Sequence, residues 1–128
     1  MSKGPDEWQK QADYDLETAD FMFQGGRYFY TVFMCHLSIE KALKGLYHKK
    51  LDEIPPKTHN LVYLINKVGF KPPEEIGRFL VKLNQASIVT RYPEDLAVLQ
   101  RKYTQTIVKE MLSKTRGTLE WIRTVFQG

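Results

Sequence analysis

Two ionisable side chains, His36 and Glu40, stand four residues apart in His36-Leu37-Ser38-Ile39-Glu40-Lys41-Ala42-Leu43-Lys44, where a helix should be apolar. With residues turned by about 100° each along a helix, Phe29, Phe33, Leu37, Leu43 and Tyr47 form one arc, and His36 and Glu40 lie in its middle. Burying such groups costs on the order of several kcal/mol unless they are paired or hydrogen-bonded. They therefore either satisfy partners on neighbouring helices or line a cleft where something polar binds. As metal ligands they lack a third and fourth neighbour, so the pattern implies no metal site and no cofactor. Ser38 falls on the outward side of the same helix, as do Lys41 and Lys49. No hydroxyl there has a base, and no hydrolase triad can be assembled.

Four further polar residues share the stretch from this helix to the next proline turns. Lys44 follows Glu40 by four positions, which suits an intrahelical ion pair or a phosphate contact. Lys57 and His59 flank Thr58 at a helix entry, a place that attracts anions; His59 there also suits packing against Tyr63. Arg91 precedes Tyr92-Pro93 at a helix end. A cation there offsets exposed carbonyls, and the guanidinium fork also fits a phosphate or a carboxylate such as Glu40. Tyr28, Tyr30, Tyr92 and Tyr103 read as core or dimer contacts, because arginines do not interleave them as in a nucleic-acid groove.

The elements that must position these groups are helical almost end to end. Trp8, Ala12, Leu16, Ala19 and Phe23 repeat at helical spacing from Pro5 until Gly25-Gly26 stops them. A second helix is expected from about Arg27 to Leu51, closed by Pro55-Pro56. A short third begins at Thr58, read as its cap, and ends at Gly69. After Pro72-Pro73, Glu74 and Glu75 suit the first turn of a fourth, which Pro93 ends. The last carries Leu96, Leu99, Tyr103, Ile107, Met111, Thr118, Ile122 and Val125, with Gly117 as its weak point. The pattern predicts an all-α, up-and-down antiparallel bundle of four long helices plus one short one, as a single domain over 1–128.

Composition excludes other classes. The chain is long enough for one core, and its apolar and charged fractions suggest neither disorder nor a fibre. Tyr28 to Leu37 is too short to span a bilayer, and Met1-Ser2-Lys3-Gly4-Pro5-Asp6 has no apolar core for a signal peptide. Cys35 is the single cysteine, so no internal disulfide forms and cytoplasmic residence is the default expectation. A net charge of +4 is compatible with an anionic partner.

Four local patterns combine. An opening helix with Trp8, Ala12 and Leu16 precedes Leu37-Ser38-Ile39-Glu40-Lys41-Ala42-Leu43-Lys44. Then come Pro55-Pro56-Lys57-Thr58-His59-Asn60-Leu61 and Arg91-Tyr92-Pro93. In that order and spacing the chain resembles the HEPN domains, over nearly its whole length. The resemblance implies a helical bundle that often forms homodimers and is associated with nucleotide or RNA binding. Many such domains are encoded beside a minimal nucleotidyltransferase and act with it, often as a toxin–antitoxin pair. It also implies that Glu40, Lys44, His59 and Arg91 are the matching polar positions. One branch comprises metal-independent ribonucleases marked by an Arg followed four to six residues later by His. Here no histidine follows Arg91. The leading expectation is thus a non-catalytic nucleotide- or RNA-associated dimer, with His36 and Lys57 added to the candidate site. An atypical ribonuclease using Arg91 with His59 or His36 is the alternative. A structural protein in which His36 and Glu40 pair with Arg91 is the third.

Overall fold

The longest helix is also the most enclosed. The computed structural model describes residues 4–128, and in it α2 (Tyr28–Leu51) has more than half of its residues buried. Residues 1–3, included in the single domain expected over 1–128, lie outside the described residues. Around α2 pack α1 (Pro5–Gln24), α4 (Glu74–Arg91) and α6 (Gln105–Gln127), joined by two short helices, α3 (Leu61–Val68) and α5 (Leu96–Lys102). Among the described residues there is no strand, and no helix is long and apolar enough to cross a membrane. Contacts fix the directions. Gln9 Nε2 donates to the Ala42 carbonyl at 3.0 Å and Ser38 Oγ to the Ala12 carbonyl at 2.7 Å, so α1 and α2 run antiparallel. Asp13 pairs with Arg123 and Asp20 with Arg116, which makes α6 antiparallel to α1. The architecture is an all-α up-and-down bundle.

Local chemistry sets the boundaries. Pro5 opens α1, and α2 ends at Asp52 in the left-handed region (φ 53°), shortly before Pro55-Pro56. Asn60, not Thr58, caps α3: its Oδ1 accepts from the Tyr63 amide at 3.0 Å, while Thr58 Oγ1 accepts from the Asn60 amide at 3.1 Å. Gly69 closes α3 at φ 87°, a conformation that favours glycine. The last expected helix is two. The chain breaks at Tyr103-Thr104, where Thr104 Oγ1 accepts from the Ile107 amide, and Gly117 sits undisturbed inside α6. The break seats Tyr103 and Leu99, both buried, in the core. One count therefore changes: four long helices carry two short ones.

The α1–α2 interface depends on Gly45. A Cβ there would stand 2.7 Å from Gln9 Nε2 and 2.9 Å from Trp8 Cβ, so the missing side chain lets the two helices approach. This closeness also overturns the outward placement of Ser38 and the solvent placement of Lys41. Ser38 is fully buried, and Lys41 Nζ lies 2.8 Å from Asp15 Oδ2. A helix wrapped on several sides has little solvent face to which polar residues can be assigned. Lys49 remains exposed, donating to the Phe126 carbonyl across the α6 end.

Candidate functional site: a buried carboxylate between Lys44 and His59

Glu40 is the centre of the polar cluster. It is 4 % exposed, and its two oxygens have different partners. Oε2 accepts from Lys44 Nζ at 3.1 Å, one helical turn on. Oε1 lies 2.8 Å from His59 Nδ1, on the segment that leads into α3. A carboxylate only accepts, so the imidazole donates from Nδ1, and Nε2 stays available on a side chain that is 61 % exposed. Lys44 also stands over the Trp8 ring at 5.8 Å, which ties the cluster to α1.

His36 lies one turn before Glu40 and is fully buried; its Nδ1 is 3.9 Å from Glu40 Oε1, beyond hydrogen-bond reach. Burial lowers its pKa from 6.5 to about 4; the Arg91 charge adds to the fall, and Glu40 opposes it. His36 is thus neutral at physiological pH. Neither ring nitrogen has a hydrogen-bond partner among the described residues, although the His59 backbone and the Asn84 amide are close enough to favour its protonated form weakly. Arg91, at the end of α4, rests its guanidinium over the Phe33 ring at 4.9 Å, with Nη2 buried and without a hydrogen-bond partner among the described residues.

The positions named from sequence fall into three groups. Glu40, Lys44 and His59 are joined directly. His36 and Arg91 adjoin them, but Arg91 makes no ion pair with Glu40, so the expected His36–Glu40–Arg91 pairing is not formed; Lys44 and His59 have taken both carboxylate oxygens. Lys57 stays apart, exposed and without an ion pair or hydrogen bond among the described residues. Asn84 was not legible in advance. Its Oδ1 accepts from the Leu61 amide at 2.9 Å and its Nδ2 donates to Asn60 Oδ1 at 3.1 Å, clamping the start of α3, and with it His59, onto α4. The only advance signal is that an amide follows Leu80 by one helical turn, beside the buried stripe. Among the described residues no three His, Cys, Asp or Glu side chains are arranged to hold a metal ion.

The HEPN domain family model matches residues 5–125. The chain belongs to the HEPN family. ST0689, an archaeal HEPN homologue, superposes with a TM-score of 0.79 at 27% identity, over 98% of this chain and 99% of that one. TT1696 from Thermus thermophilus has the same fold, with a TM-score of 0.81 at 24% identity over 94% of this chain and 97% of that one. No curated protein matches the chain. In this HEPN domain, the residues that carried the resemblance surround the α2–α3–α4 junction: Glu40 and Lys44 on α2, His59 before α3, and Arg91 at the end of α4.

Proposed function

We propose that this HEPN domain is a nucleotide- or RNA-associated module that works as a homodimer beside a minimal nucleotidyltransferase, in a toxin–antitoxin-type pair. The observation that carries the reading is the Glu40 cluster. A buried carboxylate holds Lys44 and His59 in place, near a guanidinium whose buried nitrogen has no hydrogen-bond partner among the described residues. Buried polar groups are rarely left unmatched, and a guanidinium fork suits a phosphate. Glu40 acts as the positioning residue, since it would repel a phosphate. Dimerisation is supported by the surface next to Arg91. Phe33, Met34 and Leu37 of α2 are only half-buried, and Tyr30, Ile88 and Tyr92 are 48%, 67% and 74% exposed. Association with a nucleotidyltransferase rests on the resemblance to HEPN domains encoded beside one.

A second reading, the metal-independent endoribonuclease, is favoured by one feature. A carboxylate bound to His59 Nδ1 fixes the tautomer and leaves Nε2 to move a proton, with Arg91 to meet phosphate charge. His59 is the more accessible proton carrier, since His36 is fully buried and burial lowers its pKa to about 4. Incubation with cellular RNA, with and without EDTA, beside an Arg91→Ala variant separates the two. Intact RNA retained by the wild type and released by the variant supports the binding module. Chelator-resistant cleavage lost in the variant supports the nuclease.

A further inference from the structure

α4 and α6 both pack on α2, yet they barely touch each other. The space between them forms two clefts of about 460 and 410 Å³ that meet at Lys82. The floor is apolar: Phe79 and Met111 are buried beneath it, and Val89 and Ile107 border it at 38% and 43% exposure. Its rims are basic, with Arg78 and Lys82 from α4, Lys114 from α6 and Lys102 from the end of α5; Glu75 is the one acidic residue in the lining. Arg78 and Lys114 have exposed partners, Glu74 and Glu110, on their own helices, and such pairs hold their cations weakly. Lys82 and Lys102 form no ion pair among the described residues.

Gly117 adds an independent observation. It lies exposed in the interior of α6 and lines the groove, and a Cβ there would meet nothing within 4 Å. A helix-interior glycine costs about 1 kcal/mol relative to alanine. Nothing inside the domain requires it. On the wall of a groove, however, a missing side chain lets another chain approach closely.

We infer that the α4–α6 groove is a docking site for an amphipathic helix with acidic flanks, supplied by a partner protein. An apolar floor between basic rims is complementary to a helix with one aliphatic stripe and carboxylates beside it. From Glu75 to Val89 the groove follows roughly 21 Å of α4, enough for about four helical turns. The lining offers no open ring on which a base could stack, since Phe79 and Tyr103 are both buried, and this favours a protein over a nucleic acid. A second copy could offer its acidic α1, but Asp13, Asp15 and Asp20 are already paired within their own chain, which leaves only Asp6, Glu7 and Glu17 on that helix without an ion pair among the described residues.

The test uses fluorescent acidic amphipathic peptides of about four turns, with their glutamates replaced by lysine in a control set and a labelled single-stranded RNA as a third probe. The variants are Gly117→Leu, which fills the groove, and Lys82→Glu, which reverses its central charge; melting curves establish that both remain folded. The inference expects the acidic peptides to bind wild type, to become helical, and to lose about tenfold or more in affinity to each variant. Equal binding of the lysine set, indifference to both variants, no peptide binding, or RNA as the only ligand sensitive to Lys82 would overturn it. So would a change in self-association caused by the variants, which would assign the groove to a second copy.

Discussion

His36 makes the domain's stability depend on pH in a calculable way. In the unfolded chain its imidazole takes up a proton near the ordinary pKa of 6.5, whereas in the fold burial delays protonation to about pH 4. Between those values the unfolded state binds more protons, so stability falls as pH falls. The contribution is fully present above pH 6.5 and is lost on descending through pH 4. At about 1.36 kcal/mol per pH unit, the difference corresponds to roughly 3 kcal/mol, a large part of a small domain's stability. The charges facing His36 are Glu40 on its own helix and Arg91 from α4; Glu40 opposes the depression and Arg91 deepens it, with burial the largest cause. Urea unfolding of wild type and His36→Asn across pH 4 to 7.5 isolates this term, since other titrating groups are common to both proteins. The wild type should lose about 3 kcal/mol more than the variant over that range. Parallel stability profiles for the two would refute the reasoning.

Other expectations follow from particular contacts. Glu40→Ala leaves Lys44 buried without its carboxylate and should cost about 3 kcal/mol in urea unfolding, whereas Glu40→Gln, which still accepts a hydrogen bond, should cost less. Gly45→Ala places a Cβ against Gln9 and Trp8 and should lower the melting temperature, by a loss of roughly 1–3 kcal/mol; an unchanged transition would show that α1 and α2 separate freely. Cys35 is fully buried, with its thiol raised to about 11, so it should resist a thiol reagent at pH 8 in the folded protein and react only on unfolding.

The helix boundaries were largely legible because they depend on local chemistry. Pro5, Gly25-Gly26, Pro55-Pro56, Gly69, Pro72-Pro73 and Pro93 all stand at or just beyond element ends. The break between α5 and α6 carries no glycine or proline. It depends on burying Tyr103 and Leu99, a tertiary effect, with Thr104 capping α6. The choice between Thr58 and Asn60 as the α3 cap turned on Asn84, twenty-four residues away, which holds Asn60 in place. Glu40, Lys44 and His59 could be named as candidates from the sequence, but the contacts among them could not. Periodicity puts His36 and Glu40 within an apolar arc, yet which of Lys44, His59 and Arg91 reaches the carboxylate depends on how α3 and α4 dock. Ser38 and Lys41 were misplaced for a related reason: α2 is covered by α1 where a single-faced helix would meet water.

The proposed function requires phosphate-bearing ligands to meet this domain at Arg91 and His59. NMR titration of the His59 and His36 imidazole signals with a mononucleotide and with a short RNA tests it most directly. Saturable movement of the His59 signals, abolished in a folded Arg91→Ala variant, is the predicted result. His59 signals that stay still at saturating ligand, or that move equally in the variant, would contradict it.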